Sequence, residues 1–191
     1  MNKTMILSAF FSLAMLLSSS VDQAKKSVVD DVSTLVGTQS SYALSTGNTY
    51  PAIALPWGMN FWMPQTGKMG DGWAYTYTAD KIRGFKQTHQ PSPWINDYGQ
   101  FSMMPTTGKR IFNEDERASW FSHKAEQATP YYYKVYLADY DITSEIAPTE
   151  RAAIFRFTFP KNDASNVVID AFDKGSEVTI IPSERKIIGY T

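Results

Sequence analysis

Residues 131–159 read YYYKVYLADYDITSEIAPTERAAIFRFTF. Tyr133, Val135 and Leu137 alternate with polar or exposed positions, an apolar run follows from Ile142 to Ile146, and Phe155, Phe157 and Phe159 again fall on one face. A period of two is the signature of strands with one buried face, and Asp, Pro and other turn formers separate the three runs. The pattern continues through residues 166–172, 178–181 and 187–191, with Asp173-Lys174-Gly175-Ser176 and Pro182-Ser183-Glu184-Arg185 as the intervening turns. Short strands at this spacing predict an all-β chain, an antiparallel β-sandwich. Thr191 closes a strand-like segment without a turn, polar tail or cap, where an unpaired final strand would expose its edge, so the expectation is a sandwich cut short.

Towards the N-terminus the signals are less regular. Residues 115–127 have tolerable helix composition, yet Trp120, Phe121 and His123 suit a strand equally, and the segment is left undecided. Residues 81–105, KIRGFKQTHQPSPWINDYGQFSMMP, carry strand-like ends at 82–85 and 101–104. Between them Pro91 and Pro93 exclude helix, which predicts a stiff loop mounted between two strands. Residues 67–72 form a glycine-rich turn before an expected aromatic strand at 73–77, in which Tyr75 and Tyr77 share a face with Trp73. Phe61 and Trp62 are expected on opposite faces of a strand, and Pro51 and Pro56 exclude a central strand before them. Residues 39–49 read as an exposed loop and residues 32–37 as a short apolar strand.

The first residues have another character. Lys3, an apolar run over 5–17 and Ser18-Ser19-Ser20 resemble a secretory signal, assigned to residues 1–24, with cleavage after Ser20 or near Ala24 both arguable. The run is shorter than the roughly 20 residues a membrane span needs, so no span is expected after cleavage. Residues 25–31 are taken as a linker and 32–191 as a partial β-sandwich domain. This implies export to the periplasm or the exterior, and with no cysteine the chain uses no disulfides there.

Composition excludes several functions. A net charge of -1, with 18 basic residues scattered among acids, gives no basic face for nucleic acid. There is no Gly-x-Ser-x-Gly elbow, phosphate loop or His-Glu-x-x-His pair. An aromatic share of 14% fits a large β core, a sugar-stacking surface, or both. Asp71, Asp80 and Asp97 lie near the aromatic loops, either as carboxylates facing a sugar or as turn acids. Trp73 follows a glycine turn at a rim. Trp94, stiffened by Pro93, either stacks on a ligand or plugs the loop, and His89 either binds hydroxyls or braces its surroundings. His123 is assigned a structural role. Neither histidine has the convergent neighbours of a metal site.

Several ordered blocks carry a family resemblance. Gly47-Asn48-Thr49-Tyr50-Pro51-Ala52 and Leu55-Pro56-Trp57-Gly58-Met59 come first. Ile82 to Met104 follows, then Phe121-Ser122-His123 with Glu126, Ala128 and Pro130 to Val135, then Thr149 to Pro160. In that order they resemble the N-terminal domain of glycoside hydrolase family 92, the bacterial exo-acting α-mannosidases, over residues 32–191. Gln90-Pro91-Ser92-Pro93-Trp94 departs from the Leu-Ser-Gly type of many members and resembles one branch, and Tyr131 stands where Gly is usual. The resemblance implies a sandwich that packs on an (α/α)6 barrel, which this chain does not contain, and lends loops to a shared site. It further implies inverting hydrolysis of mannose-containing glycans such as glycoprotein N-glycans, and calcium held mainly by the barrel. No catalytic or metal-ligating residue is carried over. Trp73, His89, Trp94 and Asp97 are carried over as substrate-binding residues. A free-standing carbohydrate-binding sandwich, with Trp73 and Trp94 as the stacking platform, is the alternative.

Overall fold

The computed structural model describes residues 27–39, 49–68, 74–88, 101–171 and 175–191. The chain divides into two compact units, Met1–Asp31 and Val32–Thr191. The described part of the first unit is a single 3-10 turn, Val28–Asp31, closed by the Ser27 amide donating to the Asp30 carboxylate at 2.9 Å.

The second unit is built from strands. In chain order they are β1 (Phe61–Gln65), β2 (Lys81–Ile82), β3 (Gly84–Thr88), β4 (Phe101–Thr107), β5 (Ser119–Trp120), β6 (Gln127–Thr129), β7 (Tyr132–Leu137), β8 (Ile142–Pro148), β9 (Ala153–Thr158), β10 (Ser165–Ala171), β11 (Glu177–Ile181) and β12 (Lys186–Tyr190). One four-stranded sheet has the order β1-β3-β4-β10 and the other β6-β7-β8-β9, with β2–β5 and β11–β12 as two-stranded additions. Every pairing is antiparallel. The expected all-β antiparallel architecture is therefore present.

The alternation in residues 131–159 works as anticipated. Tyr133, Val135 and Leu137 of β7 are fully buried while Lys134 and Tyr136 face solvent. They meet Trp62, Phe85 and Met104 from the other sheet in one core, with Ile142 and Ile146 of β8. Phe85 lies at its centre: its ring is edge-on to Tyr133 at 6.3 Å, tilted against Phe155 at 6.3 Å and stacked near Phe157 at 6.5 Å. Such ring pairs add a fraction of a kcal/mol to about 1.5 kcal/mol each beyond their buried area.

The β1-β3-β4-β10 sheet is covered on its other face too. Met63 joins Tyr50, Ala74 and Tyr75 in a second buried cluster, with Leu35 and Ala52 against it. On the same sheet the Arg117 guanidinium is fully buried. It is satisfied by donating to the carbonyls of Arg83 at 3.2 Å and Phe112 at 2.6 Å and to the Asp170 carboxylate. A charge without solvent is tolerable only when bonded in this way.

Two local expectations fail. Residues 32–37 form a turn, because Val32 and Val36 are exposed and only Leu35 packs inward, with Gly37 at φ 77° ending the segment. Described residues 74–77 of the expected aromatic strand are irregular. Ala74 accepts from the amides of Thr66 and Gly67, so this stretch closes a loop instead of joining a ladder, and Tyr77 is exposed while Tyr75 is buried. The undecided segment 115–127 is neither one helix nor one strand but β5, a 3-10 turn at His123–Ala125 and the start of β6. The last strand is paired: β12 forms a hairpin with β11 through the 3-10 turn Pro182–Glu184, Arg185 supplying a left-handed residue at φ 50°.

Two measurements test this packing. A Cβ on Gly84 would stand 2.0 Å from Ser102 Oγ, 3.3 Å from Ser102 Cβ and 3.1 Å from the Met103 carbonyl. Gly84→Ala is expected to lower stability by about 1–3 kcal/mol in urea unfolding, and adding Ser102→Gly should recover part of it; an unchanged midpoint for Gly84→Ala would refute the close approach. The second concerns Glu145, whose carboxylate receives Arg156 Nε and Nη2 at 2.6 Å each and the Tyr132 hydroxyl. These bonds, Arg156 first, hold its pKa down from 4.5 to about 2. Because the folded pKa lies below the unfolded one, the stabilisation is complete above pH 4.5 and disappears as pH falls towards 2. The stability gap between the parent and Glu145→Gln should shrink across that window, and a gap independent of pH would contradict the pairing.

Candidate functional site

Register brings four strand ends together. Phe61 pairs with Thr88 and Ala171 with Phe101, so β1 begins, β3 ends, β4 begins and β10 ends at one rim of the sheet. Residues 89–100, the stiff loop anticipated between two strands, connect Thr88 to Phe101 at this rim. His89, Trp94 and Asp97 lie within them and so outside the described residues, as do Trp73 and Asp71. What the structure supplies is the mounting of the loop.

That mounting is firm. The Tyr50 hydroxyl bonds Thr88 Oγ1, both residues being buried, which pins the end of β3. Asn60, also buried, donates to the Thr149 carbonyl at 3.2 Å and accepts from Trp62 Nε1 at 2.5 Å. The Met59 amide donates to the Glu150 carbonyl at 2.7 Å and that of Ala54 to Pro130 at 2.8 Å. Residues 54–60 thus lace the rim to the facing sheet, and the proline pair that excludes regular structure leaves their amides free to do so.

Trp73 enters from elsewhere. Its described neighbour Ala74 is bonded to Thr66 and Gly67, just beyond Gln65, and Gln65 pairs with Gly84 at the opposite end of β1 from Thr88. Four residues of strand rise separate the two ends, about 13 Å. The flanks of Trp73 and of the 89–100 loop therefore belong to opposite ends of the sheet.

Trp57 belongs to the Leu55-Pro56-Trp57-Gly58-Met59 block and is not among the residues carried over as substrate-binding. The structure leaves it 98% exposed with φ 62°. The left-handed backbone is unfavourable for a bulky residue and is held here by the Gly58 amide donating to Leu55 O at 2.9 Å. The sequence signal was present in Pro56-Trp57-Gly58, a proline–glycine bracket that turns an indole outwards. Close by, Met59, Thr88, Phe101 and Met103 line a groove of about 900 Å³ that continues to Ile169 and the β11–β12 hairpin.

The remaining histidine and acids have structural roles. His123 Nδ1 bonds Glu126, its Nε2 donates to the Tyr77 carbonyl at 2.7 Å, and its ring stacks on Tyr77 at 4.0 Å. Glu126 has a fully buried side chain and also accepts from Tyr133 at 2.6 Å. Burial, and then the Glu126 charge, raise the phenol pKa values of Tyr133 and Tyr75. Both His123 ring nitrogens, the Glu126 carboxylate and the Tyr133 hydroxyl are thus engaged inside the protein. Asp80 is exposed and uses its carbonyl to receive the Phe121 amide. Among the described residues no three His, Asp or Glu side chains converge into a group that could hold a metal ion. Among the same residues no helix is long and apolar enough to cross a membrane.

Comparisons with known proteins agree with this geometry. The structure is similar to a family GH92 inverting mannosidase of Bacteroides thetaiotaomicron, with 52% identity and a TM-score of 0.80 over 87% of this chain and 23% of that one. A family GH92 α-mannosidase of the same bacterium, solved with mannoimidazole, shares 32% identity at a TM-score of 0.66, over 75% of this chain and 20% of the other. A curated protein of the fungus Arthroderma benhamiae, described as an uncharacterized secreted glycosidase, is 26% identical over 83% of this chain and 21% of its own length. The chain thus spans between a fifth and a quarter of the length of these relatives. The model of the glycosyl hydrolase family 92 N-terminal domain matches residues 31–191, and the chain belongs to that family.

Proposed function

We propose that this chain is the sugar-contacting scaffold of a calcium-dependent, inverting α-mannosidase acting on mannose-containing glycans such as glycoprotein N-glycans, and that it is inactive without the barrel portion. The observation that carries the reading is the mounting of residues 89–100 on a pinned rim, in a chain half identical to an inverting mannosidase. In this reading Trp94 stacks on a pyranose face and His89 and Asp97 bond its hydroxyls, while Trp73, whose flank lies at the opposite end of the sheet, contacts a separate part of the glycan. Calcium and the two carboxylates of hydrolysis belong to the rest of the enzyme. Inverting hydrolysis needs an acid at the leaving oxygen and a base on water, and Glu126, the buried acid described above, is committed to Tyr133 and His123. Residues 1–24 serve as an export signal to the periplasm or beyond, in keeping with the secreted description of the fungal relative.

Replacing the matching segment of the Bacteroides inverting mannosidase with residues 32–191 tests the reading. The chimera should release mannose from α-mannosides while this chain alone releases none. Trp94→Ala in the chimera should lower kcat/KM about tenfold or more, the equivalent of ~1.4 kcal/mol. A folded but silent chimera, or full activity in Trp94→Ala, would overturn it.

A further inference from the structure

A second pocket, of about 410 Å³, is lined by Ser33, residues 35–39 and Tyr77. Tyr77 is fixed there in three ways. Its amide donates to the Thr38 carbonyl at 3.1 Å, its carbonyl accepts from His123 Nε2 at 2.7 Å, and its ring stacks on the His123 ring at 4.0 Å with 10° between the planes. His123 takes no part in the lining, so the pocket meets Tyr77 on the side that His123 leaves uncovered, and Tyr77 is 38% exposed. A ring braced in this way has little freedom left to lose when a ligand covers it.

The rest of the lining is neutral and mixed. Ser33 Oγ accepts from the Leu35 amide at 3.3 Å and keeps its own proton to donate, and the exposed Gln39 carboxamide has no hydrogen bond among the described residues. No Asp, Glu, Lys, Arg or His side chain lines the pocket, so nothing there balances an ionic ligand or holds a metal. Leu35 and Val36 are its only aliphatic side chains, too few to select a lipid. One aromatic ring flanked by a hydroxyl and a carboxamide suits a neutral pyranose, whose C–H face covers the ring while its hydroxyls meet the donors and acceptors. The volume lies within the range of small-ligand pockets.

We propose that this pocket is a second carbohydrate site, taking a neutral pyranose of a mannose-containing glycan through Tyr77, Ser33 and Gln39. The identity of the sugar rests on the proposed function; the site does not. Ala74 accepts from the Thr66 and Gly67 amides and the Thr76 amide donates to Thr66 Oγ1 at 2.9 Å, which ties residues 74–77 to the end of β1 opposite Thr88. The pocket is therefore separate from the root of the 89–100 segment. A branched glycan held at two separate places gains effective concentration at each without any new catalytic group.

The test is a titration of the full chain with α-mannobiose, followed by NMR at the Tyr77 ring and the Gln39 side-chain amide. Both signals should move and saturate at about millimolar sugar or below. Tyr77→Ala, read at Gln39, should weaken the response about tenfold or more. Gln39→Ala, read at Tyr77, should weaken it about threefold or more, and because Gln39 is exposed without an internal partner this variant keeps the test valid if Tyr77→Ala fails to fold. Trp94→Ala should leave the response unchanged. Signals that do not move, or that move equally in Gln39→Ala, overturn the proposal, and so does a response lost in Trp94→Ala, which puts the sugar at the 89–100 segment alone. In the chimera with the Bacteroides mannosidase, Gln39→Ala should leave mannose release from an aryl α-mannoside unchanged and raise KM for a branched mannose glycan about threefold. A silent chimera beside a responding Tyr77 overturns the mannosidase reading and leaves the pocket; an active chimera beside a silent Tyr77 overturns the pocket alone.

Discussion

Phe85 is the side chain on which the two sheets converge. It is fully buried on β3, and its ring touches Tyr133 on β7 and Phe155 and Phe157 on β9. Truncating a core phenylalanine typically costs 3–5 kcal/mol, a large part of the stability of a domain of this size. Phe85 is only three residues before Thr88, where the rim loop begins. The contact that joins the sheets therefore also sets the position of the loop root, linking core packing directly to the functional surface.

The polar interior serves the same end. Arg117 ties the β3 approach at Arg83 to β10 at Asp170, and Tyr140 donates to the Arg117 carbonyl at 2.9 Å from the facing sheet. Glu126, His123 and Tyr133 brace the 3-10 turn before β6 against Tyr77. A buried polar network of this kind orients segments that have no regular ladder. This chain needs it, since the stretches 49–60, 74–80 and 108–118 lie almost wholly outside the strands.

Sequence periodicity made residues 132–158 legible because β7 and β9 turn alternate residues towards the core, whereas β11 and β12, equally apolar in sequence, are almost wholly exposed. Tyr133, Val135 and Leu137 alternate cleanly with exposed neighbours. It failed where a segment packs through one or two residues. Leu35 anchors 32–37, and among the described residues of the expected aromatic strand the adjacent Ala74 and Tyr75 are buried while Tyr77 is exposed, so local composition mimicked a strand that tertiary contacts do not build. The candidate segment was legible as lying between two strands, which end at Thr88 and begin at Phe101, and the family through ordered motifs. The exposure of Trp57 was not, because it arises from three-dimensional closure, which no local pattern encodes.

In the proposed function the pinned rim holds residues 89–100 as a sugar-contacting wall, and the bond-breaking groups are supplied by another portion of the enzyme. The chimera of this segment with the Bacteroides mannosidase, crystallised with mannoimidazole, examines that directly. The expected result is the Trp94 indole within about 4 Å of the ligand ring, in van der Waals contact. A ligand bound in the same site with residues 89–100 turned away from it would contradict the assignment of this domain as a wall of the mannose pocket.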